Sequence, residues 1–350
     1  MNYKSARALL AFWMPVALFL TGCDGVEDRS QKSFILTTAS TGGTYYPVGV
    51  AISTLVKLNL QESEGISLSA INSAGSGENI KLMRSGEADF ALIQGLFGFW
   101  AKTGEGVWGQ AGPQLGLRSI TMLWPNVEHF AIRSDAVETG TLADLRGLDD
   151  GLFGVGNRNS GAMESTKRIL QSLGIEQDRD LRFAYLSYNA SADALQNGTI
   201  DGFSAPAGAP VSAVSRAMAA IGEDMAILTI TPEELAELNE GIGLWTAFEV
   251  PAGTYPGQDE ALLTAAQPNF LAVNADVDDE VVYQITKVIF ENLPFLYSVH
   301  RATRSITLDT AMIGLPVPLH PGSVRYFAEQ GLQIPQALVP LEMIGATDAP

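Results

Sequence analysis

The stretch Leu36–Gly49, LTTASTGGTYYPVG, constrains the chain most. A short β-prone run turns through Ser40-Thr41-Gly42-Gly43 and enters an apolar segment with helical period. Over Thr44–Asn59, Tyr45, Val48, Ile52, Leu55 and Val56 recur at spacings of three and four. Pro47 falls in the first turn, where its missing N–H does little harm. Strand, glycine turn and helix form the unit from which parallel α/β sheets are built. The glycines permit a tight turn and close approach of a ligand, and the helix start presents free backbone N–H groups. Taken alone, the stretch reads equally as a structural corner.

The plan recurs. Ser67–Asn72 alternates like a strand, Ser73–Asn79 is a second small-residue turn, Ile80–Arg84 a short helix and Phe90–Gln94 the next strand. Further on, Phe153–Val155 leads through a Gly/Asn/Ser turn into a helix over Ala162–Leu173, with Gly174 as its stop. Leu117–Trp124 and Val127–Ile132 read as two strands divided by Pro125-Asn126. Leu244–Gln258 reads as irregular, Leu96–Gly116 as irregular or a short helix, and Leu271–Val273 as a short strand. Asp279–Asn292 is strongly amphipathic. The fold class predicted is α/β, and the length suits two domains better than one.

The start of the chain has a different character. Lys4 and Arg7 precede the apolar run Ala11–Leu20, and Leu20-Thr21-Gly22-Cys23 follows. These are the parts of a secretory signal, and the run falls short of the about 20 residues a membrane span needs. Cys23 is the only cysteine, so no internal disulfide can form. Leu20–Cys23 resembles the lipobox of bacterial lipoproteins, which implies cleavage before Cys23 and lipidation of its thiol. Asp24 resembles an inner-membrane retention signal of enterobacterial lipoproteins. Losing residues 1–22 removes two positive charges and moves the formal charge from −18 to −20. Such a surface repels nucleic acid, although a local pocket in it can still take an anion.

A search for catalysis ends without a candidate. His129, His300 and His320 are far apart and form no metal spacing. Ser76, in Gly75-Ser76-Gly77, lacks the flanks of a nucleophile elbow. Neither early glycine turn has the spacing of a dinucleotide fingerprint or a P-loop. No catalytic residue, cofactor or metal site is therefore assigned. What remains is a set of small turns at strand ends, where open α/β sheets bind ligands. Thr41, Thr44, Ser76, Asn79, Asn157 and Ser160 are candidate side-chain donors. Gly42, Gly43, Gly77 and Gly161 accompany them in the same turns, Tyr45 is a candidate wall, and Gln94 and Ser204 complete the candidate set. Arg158, between two asparagines, offers forked donors to a carboxylate. On that reading Arg158→Ala weakens binding at least about tenfold, or 1.4 kcal/mol.

Thr41-Gly42-Gly43-Thr44-Tyr45-Tyr46-Pro47-Val48-Gly49 resembles the opening motif of the TAXI proteins, the extracytoplasmic solute-binding subunits of one class of TRAP transporter. Arg84-Ser85-Gly86-Glu87-Ala88-Asp89, Asn157–Gly161, Asp193–Gly202, Pro251–Gln258, Phe290-Glu291-Asn292 and Gly314–Gly322 resemble further family segments in the same order. The resemblance runs from Phe34 to about Gly331. It departs at Phe203–Gly208, where Ser-Ala-Pro stands in place of a bulkier β-branched stretch, which bears on pocket size and ligand preference.

The resemblance implies a two-lobed type II periplasmic-binding-protein fold with a hinge of crossing strands, Val127–Ile132 and Asn269–Val273. It implies one lobe of 34–130 plus 268–350 and a second of 131–267, which follow the signal peptide over 1–22 and the lipidated tether over 23–33 expected from the lipobox resemblance. It also implies a monomeric periplasmic protein that is not an enzyme; the lipid anchor expected at Cys23 departs from family members released as soluble periplasmic proteins. Its ligand would be a small organic anion such as glutamate, a related amino acid or a 2-oxoglutarate-like dicarboxylate. Its partners would be the membrane subunits of a TRAP permease. A ligand-sensing periplasmic lipoprotein that docks on a membrane receptor is the alternative.

Overall fold

The structure, a computed structural model, describes residues 31–344. The expected signal peptide, most of the tether, Cys23 and residues 345–350 lie outside them. Among the described residues no helix is long and apolar enough to cross a membrane.

The first lobe opens with β1 (Lys32–Thr37), α1 (Tyr45–Leu60), β2 (Ile66–Ile71), α2 (Ser76–Arg84), β3 (Phe90–Gln94), α3 (Gly95–Thr103) and β4 (Leu117–Val127). β1 lies parallel between β2 and β3. All five residues of β3 are buried, the pattern of a central strand covered on both faces. α1 buries Val48, Ile52 and Val56 completely, as its three-and-four spacing requires.

The chain then builds β5 (Phe130–Arg133), β6 (Gly151–Gly154), α4 (Gly161–Ser172), β7 (Leu181–Ala184), α5 (Tyr188–Gln196), β8 (Gly202–Ser204), α6 (Ser212–Ile221), β9 (Met225–Ile227) and α7 (Pro232–Leu238). These strands form a second mixed sheet in the order β7-β6-β8-β5-β9. The return comes through β10 (Thr246–Val250) and β11 (Leu262–Asn274). They complete the first sheet, in the order β10-β11-β3-β1-β2, with β4 also paired to β11. α8 (Asp279–Glu291), α9 (Leu293–Val299) and α10 (Pro321–Glu329) follow and add to the first core.

β4 and β11 run antiparallel, and each passes from one core to another. In β4, Ile120, Leu123 and Trp124 pack in the first core, whereas Val127 packs with Phe203 and Val214 of the second lobe. In β11, Phe270–Val273 belong to the first core, and Leu262 and Ala266 to the Val127 cluster. The change of core falls at one rung, where Pro125 faces Pro268. Proline has no N–H for the ladder, so the pair thins the backbone hydrogen bonding where the lobes meet. A register shift between Asn269 and Phe270 adds to the irregularity there.

Several local expectations give way. β4 continues through Pro125 to Val127, so Leu117–Trp124 is not closed off by the proline. β11 is 13 residues long rather than a short strand. Thr246–Val250 lies in a stretch read as irregular, yet it pairs with β11. α2 begins at Ser76, not at Ile80, so Ser76, Gly77 and Asn79 are in a helix rather than a turn. In each case tertiary pairing or packing overrides a local breaker signal.

Candidate functional site

A cleft of about 470 Å³, open solvent at its mouth included, lies between the lobes. Four helices begin at its wall. Gly43, Thr44 and Tyr45 bring in the start of α1, and Gly75 and Ser76 that of α2. Ser160, Gly161 and Ala162 bring in α4, and Ser187 and Tyr188 bring in α5. Each follows the end of a strand through a short connection. The first N–H groups of a helix have no intrahelical acceptor, and the helix dipole favours negative charge there.

The floor is a chain of side-chain amides. Tyr45 Oη donates to Asn269 Oδ1 at 2.5 Å. Asn269 Nδ2 donates to Asn126 Oδ1, and Asn126 Nδ2 to Gln94 Oε1, each at 3.3 Å. Gln94 Nε2 then donates to the carbonyl of Gly161 in the second lobe at 2.9 Å. Gln94, Asn126 and Asn269 are all buried, where an unpaired amide is costly, and each finds partners in the others. Gln94 N donates to Ser76 Oγ at 3.1 Å, tying α2 to the same floor. Burial pushes the Tyr45 phenol up from its ordinary pKa, with the Ser76 hydroxyl opposing, so Tyr45 stays a neutral donor. Tyr188 Oη donates to the Pro206 carbonyl at 2.8 Å and closes one side. Among the described residues no Asp, Glu, Lys, Arg or His lines the cavity.

Behind the floor, the link between β4 and β5 carries two buried titratable residues. Glu128 Oε1 accepts from Ser165 Oγ at 2.7 Å, Trp245 Nε1 at 3.0 Å and Gln267 Nε2 at 3.2 Å. Desolvation raises its pKa, and those three donors only moderate the rise. His129 bonds the Val127 carbonyl through Nδ1 and the Tyr255 hydroxyl through Nε2, at 2.9 and 2.7 Å. Burial lowers its pKa to about 4, which holds the ring neutral. These groups tie α4, β11 and the strand link together and do not line the cavity. Among the described residues no group of three or more His, Cys, Asp or Glu gathers as a metal cluster would.

Of the residues singled out from the sequence, Gly43, Thr44, Tyr45, Ser76, Gln94, Asn157, Ser160 and Gly161 line the cavity. Thr41 is exposed, and Gly42 turns its carbonyl to the second lobe. Gly77 packs against Asn159. Asn79 spends its amide on the carbonyls of Thr38 and Leu92, at 2.7 and 2.8 Å. Ser204 pairs with Thr166 inside the second lobe at 2.6 Å. Arg158 is exposed, and its guanidinium lies 3.7 Å from the centre of the Tyr185 ring instead of in the cavity. The sequence reading missed Asn126, Ser187, Tyr188 and Pro206, all of which line it. Ser187 carries a readable signal, a serine between a strand and a short helix, though that helix is only weakly apolar. Asn126 is masked by the proline before it.

The fold is the two-lobed type II periplasmic-binding-protein fold, and it is similar to that of a protein from Bordetella bronchiseptica RB50. That protein is 13% identical, with a TM-score of 0.51 over 87% of this chain and 90% of that one. A Xanthomonas citri protein solved with ATP bound is 15% identical, with a TM-score of 0.49 over 85% and 95%. The periplasmic aliphatic sulphonate binding protein SsuA of Escherichia coli is 13% identical, with a TM-score of 0.44 over 85% and 79%. Residues 36–331 match the NMT1-like family, a span that takes in both sheets except the first residues of β1, the strand pair joining them and every lining residue of the cavity. The chain belongs to the NMT1-like family.

Proposed function

We propose that this chain is an extracytoplasmic solute-binding protein of a transport system, of the TAXI type, that captures a small organic anion and presents it to the membrane subunits of a TRAP permease. The observation that carries this reading is the convergence of four helix starts on one uncharged, hydrogen-bonding cavity. Each helix start favours an anion by about 0.3–1 kcal/mol at a surface and up to about 2 kcal/mol when partly buried. A carboxylate placed there is held by backbone N–H groups and hydroxyls without a counter-charged side chain, as helix N-termini hold anions elsewhere. Among the described residues the lining offers no nucleophile–base pair, which supports binding without turnover. The ordered motifs from Phe34 to Gly331 support the TAXI assignment. A lipid on Cys23 would keep the protein beside its permease in the periplasm.

In this reading the lobes close about the Pro125–Pro268 rung when solute enters, and the permease recognises the closed form by population shift. The ligand set is glutamate, related amino acids and 2-oxoglutarate-like dicarboxylates. Calorimetry and thermal shift on protein stripped of solute by unfolding and refolding provide the test. Micromolar or tighter binding of one of these, about −8 kcal/mol or better, is expected. Stripped, folded protein that binds no anion of a broad panel would remove the reading.

A further inference from the structure

Two glycines singled out from the sequence, Gly42 and Gly77, do not line the cavity, yet both meet the opposite lobe. α2, in the first lobe, starts behind Gly75 and has no side-chain cap. Its Glu78 N–H donates instead to the carbonyl of Asn159 in the second lobe, at 3.1 Å. Lys81 Nζ donates to Asn159 Oδ1 at 3.1 Å from the next turn of the same helix. α6, in the second lobe, starts behind Val211 and also has no side-chain cap. There Ser212 Oγ and Ala213 N donate to the carbonyl of Gly42 in the first lobe, at 2.9 and 3.4 Å. The arrangement is reciprocal: each lobe sends one backbone carbonyl to an otherwise uncapped helix start of the other.

Neither glycine has a positive φ, so the backbone at these positions accepts any L residue. The opposite lobe is what leaves no room. A Cβ on Gly77 would stand 2.4 Å from the Asn159 carbonyl oxygen, a backbone atom that cannot rotate away. It would also meet the edge of the Phe97 ring at 3.1 Å, within its own lobe. A Cβ on Gly42 would stand 2.8 Å from Asn189 Oδ1 and 3.1 Å from Asn189 N. Both clashes with the second lobe vanish if the lobes part.

We propose that these contacts form a built-in latch, in which closure of the cleft caps α2 with Asn159 and α6 with Gly42, and Gly42 and Gly77 are the positions that let the lobes meet. The latch rests on the capture reading only in assuming that the cleft opens. It holds the closed form without solute, because orphan helix N–H groups are satisfied by protein when the lobes meet and by water when they part. Solute then adds its contacts to a state that already has a standing population.

The test uses small-angle X-ray scattering on the full-length chain, stripped of solute by unfolding and refolding, with none added. Wild type should scatter as the closed form. Gly77→Ala should show a larger radius of gyration while keeping a cooperative melt. A role confined to the first lobe, through α2 or the Phe97 contact, predicts unchanged scattering whatever happens to stability. Scattering from Gly77→Ala identical to the closed wild type, or an open wild type, overturns the latch. Should Gly77→Ala fail to fold, the double variant Ser212→Ala with Lys81→Met removes two side-chain arms of the latch without adding bulk. It should shift the scattering in the same direction, and no shift overturns the proposal. Because no solute is present, a failed latch leaves the capture reading standing, and a failed solute panel leaves the latch standing.

Discussion

The two walls of the cavity start their helices in different ways. In the second lobe, α4 and α5 begin with their own serine caps: Ser160 Oγ accepts from Met163 N at 2.9 Å, and Ser187 Oγ accepts from Ala190 N at 3.3 Å. In the first lobe, α1 and α2 have no side-chain cap. Thr44 stands at the cap position of α1, but its hydroxyl donates to the Gly208 carbonyl of the other lobe at 2.9 Å. The second wall is thus complete within its own lobe. The first wall is completed only from across the cleft, by protein or by solute. A binding cleft profits from that asymmetry, because one side is preformed and the other gains its partners on closing.

The most severe way to break the comparison is Gln94→Leu. Gln94 is the first-lobe side chain that reaches the Gly161 carbonyl, and its loss also leaves the buried Asn126 amide without its acceptor. Each stranded group costs about 1–3 kcal/mol. Calorimetry with the anion found in the panel should show at least about a tenfold loss of affinity, or 1.4 kcal/mol. Unchanged affinity would mean that the amide floor has no part in holding the lobes about the solute. A smaller effect separates the two walls directly. Ser160→Ala should lower unfolding free energy by about 1 kcal/mol in urea melts without solute, as the loss of a helix cap does. Stability equal to wild type would show that the second wall is not preformed by its own caps.

The smallest effect is expected at Arg158. Its guanidinium is exposed and stacked on Tyr185, beside the second wall but outside the cavity. Arg158→Ala should change solute affinity by less than about twofold, roughly 0.4 kcal/mol, in the same calorimetry. A tenfold loss would return Arg158 to the site and show that the second wall supplies a charge as well as helix starts.

Much of the cavity was readable because helix starts leave a local signature. Thr44, Ser76, Ser160 and Gly161 sit where small residues follow a β-prone run and precede a 3.6-residue apolar period. Ser187 has the same signature and was overlooked, since the helix behind it is short and weakly apolar. Asn126 had no such signal. A proline before a polar residue reads as a break, and only the partner Pro268 in register turns it into a strand rung. Arg158 was chosen for its chemistry, but adjacency to a turn does not decide the direction of a long side chain, and Tyr185 takes it outward.

Local patterns in the chain carry the repeated strand–turn–helix units and the α/β class, though not every helix start, since α2 begins at Ser76 rather than Ile80. Those follow from residues three or four apart and from the turn chemistry of glycine, serine and asparagine. Which of those turns face the cavity and which face the other lobe depends on tertiary packing. Tyr45 meets Asn269 across 224 residues of chain, and Thr44 meets Gly208 across 164. Such pairs depend on strand register and on how one lobe sits against the other, and no local period encodes either. Gly42 and Gly43 are neighbours in one turn. One takes the opposite lobe and the other lines the cavity, because consecutive residues of a tight turn point in different directions.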